Sequence, residues 1–105
     1  MEQEFKLIKK TKKYLEGLGY SSANIFLEHL YVKSNLQKLI DIVVKNNDDN
    51  LIVVEIRNTT NPVWDNLNEA SFHPVVRKLQ RYASDINSKY FVLSDGDKHL
   101  SLIHI

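Results

Sequence analysis

The chain has 105 residues, 43% hydrophobic and 26% charged, a formal net charge of +1 and no cysteine. That is the size and composition of one globular domain, 1–105, with one compact core, and it excludes a disulfide framework, a thiolate zinc site and a thiol nucleophile. No apolar run approaches the roughly 20 residues of a membrane span, and the acidic start Met1-Glu2-Gln3-Glu4 does not suit a secretion signal, so a soluble, cytoplasmic protein with no membrane partner is expected.

From Glu2 to Leu18, Phe5, Ile8, Leu15 and Leu18 recur at helical spacing, joined by Leu7 and Tyr14. Lys6, Lys9, Lys10, Lys12 and Lys13 fill the other side, which predicts an amphipathic helix. Gly17 and Gly19 end it, glycine being the residue that most easily takes left-handed terminal geometry. Ser21 to Asn24 reads as a connector and Ile25 to Val32 as a strand. Two further strands, Leu39 to Lys45 and Leu51 to Arg57, flank Asn46-Asn47-Asp48-Asp49-Asn50. That stretch is nearly pure turn chemistry, so the pair reads as a β-hairpin. Thr59 to Phe72, with Pro62 and Trp64, reads as a loop. Pro74 suits the first turn of a helix whose buried stripe is Val75, Val76, Leu79, Ala83 and Ile86. Tyr90 to Leu93 reads as a strand, Ser94 to Asp97 as a turn and Leu100 to Ile105 as a closing strand. The expected class is α/β, in the order α-β-β-β-α-β-β, without internal repeats or linkers.

The hairpin carries the chemistry. With a symmetric turn Lys45 sits opposite Leu51, and the constant sum of paired numbers then places Asp41 opposite Glu55, with Cβ atoms about 4.5–5.5 Å apart. Arg57 falls on the same face by alternation. The other face carries Ile40, Ile42, Val44, Ile52, Val54 and Ile56, and the acid-bearing face also carries Leu39, Val43, Leu51 and Val53. Strands apolar on both faces are usually covered on both. Two carboxylates so placed need a metal ion, a shared proton or a nearby cation. Two readings follow from spacing alone. One is a Mg²⁺ or Mn²⁺ site, since hard cations take carboxylate oxygens. The other is a structural ion pair with Arg57, or a shifted register that separates the acids.

Several stretches together resemble the PD-(D/E)XK nuclease superfamily, and most closely the N-terminal nuclease domain of type I restriction endonuclease R subunits. They are Leu15-Glu16-Gly17-Leu18-Gly19-Tyr20, Glu28 in its IFLEHLY strand, Ile40-Asp41-Ile42-Val43-Val44, Ile52-Val53-Val54-Glu55-Ile56-Arg57, Leu79-Gln80-Arg81-Tyr82-Ala83 and Tyr90-Phe91-Val92-Leu93-Ser94-Asp95-Gly96. The resemblance implies a restriction-endonuclease-like core, a mixed sheet flanked by helices, and divalent-metal-dependent hydrolysis of DNA. It assigns Asp41, Glu55 and the Ile56 carbonyl as metal ligands. It departs from the family at Ile40, where proline is usual, and at Arg57, where the motif has lysine. Arginine keeps the charge, but its planar fork replaces a compact ammonium poorly. The later helix motif Gln-x-x-x-Tyr has Lys78 at the glutamine position and Tyr82 intact, one helical turn apart on one face. Loss of lysine at 57 and its gain at 78 suggest that Lys78 supplies the missing catalytic cation beside Arg57; a plain surface lysine is the other reading. Lys78, Arg81 and Tyr82 are the candidate nucleic-acid contacts.

Other candidates carry less. Glu16 and Glu28 could orient water or metal, or be ordinary solvated or capping acids. His29, His73, His99 and His104 lack zinc spacing. Trp64 and Phe72 could stack on a base, although loop aromatics more often pin a loop. The lysine-rich first helix and the Arg77, Lys78, Arg81 cluster could meet phosphates, or be solvated faces. Expected partners are DNA, a larger restriction-type complex and a further copy of the chain. The alternative function is a catalytically inactive nuclease fold that binds nucleic acid or protein.

Overall fold

The computed structural model describes residues 2–33, 36–46, 49–61, 64 and 74–103. Five strands form one mixed sheet whose spatial order follows the chain: β1 (Ile25–Lys33), β2 (Leu36–Asn46), β3 (Asp49–Ile56), β4 (Tyr90–Ser94) and β5 (His99–Ile103). Neighbours are antiparallel except β3 and β4, which run parallel and are joined by a crossover containing helix α2 (Pro74–Asp85). Helix α1 (Glu2–Gly17) precedes β1. The α-β-β-β-α-β-β order and the restriction-endonuclease-like α/β architecture agree with the sequence.

The strands are apolar on both faces because each face is covered. Ile8 and Leu15 of α1 pack with Ile42, Val44, Ile52, Val54 and Ile56. Val76, Leu79, Tyr82 and Ala83 of α2 pack with Ile40, Val43, Val53, Phe91 and Leu93. Both helices end in the same way. Gly19 at φ 107° lets its own N–H bond Glu16 O while Tyr20 N–H bonds Leu15 O; Asn87 at φ 57° does the same for α2, with Asn87 N–H on Ser84 O and Ser88 N–H on Ala83 O. These are paired terminal bonds that a left-handed residue makes possible.

The structure corrects several expectations. The buried line of α1 is Ile8, Thr11 and Leu15; Phe5 is 38% exposed, and Leu18, just past the end of the helix, 59%. The hairpin turn is tighter than five residues: Asn46 pairs with Asp49, and Lys45 pairs with Asn50 rather than Leu51. A bulge between Val44 and Lys45 absorbs the offset, and Leu51 turns toward the α1 cluster. The closing strand starts at His99, earlier than expected. Ile40 lies with the α2 cluster instead of the α1 side. The β1–β2 ladder skips Glu28 and Asp41, and Glu28 has φ 50°, so the alternation of faces is broken there. Tyr82, expected at a nucleic-acid surface, is 3% exposed and part of the core.

Gly96 forms the β4–β5 turn at φ 97°, and a Cβ there would stand 3.1 Å from Leu7 Cδ2 of α1. Gly96→Ala is expected to lower the unfolding free energy by about 1–3 kcal/mol, through backbone strain and this contact. Urea titration checks it; an unchanged midpoint would mean that turn and helix relax together.

Candidate functional site

Three successive residue pairs, Ile42–Val54, Val43–Val53 and Val44–Ile52, keep the register that places Asp41 across from Glu55. At that position the backbone ladder gives way to a side chain. Asp41 Oδ2 accepts the Ile56 N–H at 2.7 Å. A carboxylate thus replaces the strand partner and is fixed in orientation by the chain it faces.

Arg57 completes the group. Its Nη1 donates to Glu55 Oε2 at 2.8 Å and to the Ile56 carbonyl at 2.7 Å, and lies 3.9 Å from Asp41 Oδ2. One nitrogen therefore faces three oxygens. The side chains of Glu55, Asp41 and Arg57 are 6%, 15% and 22% exposed, a largely dry setting open along the arginine edge. The backbone of Arg57 is pinned on both sides, its N–H donating to Ser94 O at 2.8 Å and its carbonyl accepting from Trp64 Nε1 at 3.3 Å.

Burial raises the Glu55 carboxyl, and the neighbouring Asp41 charge raises it further against the pull of Arg57, to about 7. Burial also raises Asp41; the Ile56 N–H and a hydrogen bond with Glu55 oppose this, while the charge of Glu4 adds to it. Asp95 is a useful contrast. Burial raises it too, but N–H groups of Lys98 and Asp97 and the Lys98 charge more than offset this, and its carboxyl lies below the ordinary value. Asp95 is an acid satisfied as part of a turn. Asp41 and Glu55, by contrast, are acids held where burial opposes their charge.

The hairpin thus brings together Asp41, Glu55, the Ile56 carbonyl and Arg57. Lys78 stands half-buried on α2, its ammonium 5.9 Å from the centre of the Tyr82 ring. Arg77 and Arg81 are exposed on the same helix. Trp64 is 9% exposed, its Nε1 donating to the Arg57 carbonyl and Lys98 standing over its ring at 5.0 Å. The α1 lysines are partly engaged: Lys10 with Asp97 at 2.5 Å, Lys12 with Glu16 at 3.8 Å and Lys9 over the Phe5 ring at 4.8 Å. Glu16 is thereby an exposed pairing acid. Glu28 is exposed on β1. His99 Nδ1 lies 2.8 Å from Ser94 Oγ, and its ring stacks on Tyr14, a packing role. Phe72, His73 and His104 lie outside the described residues. Sequence reasoning missed Glu4, whose charge reaches Asp41; nothing distinguishes it among the acids that begin the helix.

Among the described residues, no three His, Cys, Asp or Glu side chains gather round one point. A divalent ion at this site would need the Ile56 carbonyl as well as the two acids. The three oxygens are hard donors of the kind Mg²⁺ and Mn²⁺ take, and they already converge on one cation.

A mixed sheet covered by a helix on each face, with paired acids on its central hairpin and a cation two residues beyond the glutamate, defines a restriction-endonuclease-like protein, consistent with the PD-(D/E)XK superfamily. The family model for the type I restriction enzyme R protein N terminus matches residues 8–104, and the chain belongs to that family. No curated protein matches it. No helix among the described residues is long and apolar enough to cross a membrane.

The raised Glu55 carboxyl has a signed consequence. Between its ordinary 4.5 and about 7 the folded chain holds a proton that the unfolded chain has released. The associated stability is full below the lower value and is lost as pH rises through the upper one. In chelator, wild-type stability is expected to lose a contribution on the order of 3 kcal/mol across this window. Glu55→Gln is expected to flatten that slope. Urea unfolding at several pH values checks it, and a Glu55→Gln slope as steep as wild type would refute the assignment.

Proposed function

We propose that the domain hydrolyses phosphodiester bonds of DNA with Mg²⁺ or Mn²⁺, as a nuclease of the type I restriction R-subunit N-terminal kind. The observation that carries this reading is the convergence of Asp41 Oδ2, Glu55 Oε2 and the Ile56 carbonyl on the one point that Arg57 Nη1 marks. Asp41, Glu55 and the Ile56 carbonyl would hold the ion. When bound, such an ion supplies an activated water and positive charge for the phosphate oxygens.

The remaining groups have separate tasks. The Ile56 N–H fixes the orientation of Asp41. Arg57 and Lys78 provide positive charge for the phosphate, Lys78 braced by the buried Tyr82 ring. Arg81, exposed on α2, contacts the DNA backbone. Because Arg57 stands where the family motif has lysine, slow turnover is expected. DNA and a larger restriction-type complex are the partners this assigns, and the cytoplasm the compartment.

A second reading is favoured by the same arginine. Its bonds to Glu55 and the Ile56 carbonyl already satisfy the acid pair, as in a silent module that binds DNA or protein without cutting.

Incubation of supercoiled plasmid with Mn²⁺ separates the two readings. Wild type is expected to nick it, Asp41→Asn to be slower by about 10²-fold or more, and Lys78→Ala to be slowed as well. Salt-dependent DNA binding with no metal-dependent nicking would leave the silent module. Arg81→Ala is expected to weaken DNA binding for all sequences alike and to reduce the slope of log affinity against log salt by about 1; an unchanged slope would remove Arg81 from the interface.

A further inference from the structure

Arg57 does more than stand near the acids. A single nitrogen, Nη1, lies 2.8 Å from Glu55 Oε2, 2.7 Å from the Ile56 carbonyl and 3.9 Å from Asp41 Oδ2, so it occupies the centre of the oxygen cradle itself. We infer that Arg57 is a resident counter-cation of this cradle, exchanged for a divalent ion only when a DNA phosphate takes the guanidinium, so that metal and DNA bind cooperatively. The inference rests on the cradle being the metal site proposed above.

The exchange has a definite physical form. For an ion to enter, the guanidinium itself has to vacate the cradle. It must move, and its backbone cannot. The N–H is held by Ser94 O and the carbonyl by Trp64 Nε1, so the motion is confined to the side chain. That side chain is 22% exposed, against 6% for Glu55, so the route outward is along its own open edge.

Neither partner alone drives the move. A divalent ion arriving by itself meets a positive charge already seated among the ligands. A phosphate arriving by itself must draw Arg57 from two buried carboxylates, which would be left unpaired. Together the costs cancel. The ion neutralises Asp41 and Glu55, and the guanidinium fork meets phosphate oxygens in the paired geometry it favours. Coupling of this kind is reciprocal: DNA tightens the metal by the same factor as the metal tightens DNA.

Calorimetric titration of Mn²⁺ into wild type and Arg57→Met, each with and without a short DNA duplex recovered intact afterwards, tests this. Asp41→Asn sets the baseline for Mn²⁺ held by the duplex. Free Arg57→Met is expected to bind Mn²⁺ at least about tenfold more tightly than free wild type. In wild type the duplex is expected to tighten Mn²⁺ by about 5–150-fold, and Mn²⁺ to tighten the duplex equally. In Arg57→Met both factors fall close to one. Equal Mn²⁺ affinity in the two free proteins, or coupling that persists without Arg57, overturns the inference and leaves the metal site standing. No Mn²⁺ binding above the Asp41→Asn baseline in any form, duplex present, overturns the metal site and the inference with it. Should Arg57→Met fail to fold, the wild-type pair of titrations still decides, because absent coupling there is sufficient refutation.

Discussion

Two carboxylates buried on adjacent strands need a cation or a shared proton between them, and most of what is particular to this domain follows from that constraint. The sheet supplies the burial: Val54 and Ile56 are fully enclosed on either side of Glu55, and Ile40 and Ile42 on either side of Asp41. The same enclosure that makes the hairpin stable raises both acids. Arg57 then supplies the charge from the end of the strand that carries Glu55, with no contribution needed from the helices. Truncating a buried partner of such a group typically costs 3–5 kcal/mol, while a well-packed apolar replacement of the whole group is often neutral. The trio is therefore a poor device for stability and a good one for holding a cation.

The central hairpin was legible in the sequence because two independent signals fix it. Asn-Asp turn chemistry sets its position, and β-branched residues on both sides, broken only by Asp41 and Glu55, set its extent. The constant-sum register from Ile42–Val54 to Val44–Ile52 followed, and with it the juxtaposition of Asp41 and Glu55. What failed lies where the backbone departs from regular alternation. The bulge at Val44 and Lys45 shifts Leu51, and the left-handed Glu28 disturbs the face on which Ile40 sits. Neither position is a glycine or an asparagine, so neither carries a local sign of irregularity.

On the helices the difficulty was of another kind. Periodicity gives a stripe but not its width or the reach of the surface beneath it. Tyr82, three residues after Leu79 and four before Ile86, lies on the buried stripe of α2 and is enclosed in one cluster with Trp64 and Leu93. Phe5 and Leu18 sit on the predicted line of α1 and are exposed. The influence of Glu4 on Asp41, and the grip of Trp64 on the Arg57 carbonyl, are long-range contacts between residues that no periodic pattern connects.

The spatial order of the strands is the order in which they occur along the chain, with one parallel crossover. The acid pair therefore belongs to the most local part of the sheet: both members stand on one hairpin, and the arginine that serves them follows directly after its second strand. Closing so short a loop costs little chain entropy, whereas bringing β4 alongside β3 requires the whole α2 crossover to be ordered first. The charged group can assemble early in folding, on a three-stranded meander. The α2–β4–β5 half encloses it and pins the arginine backbone through Ser94. The molecule thus divides into a hairpin that holds the charges and a second half that encloses them.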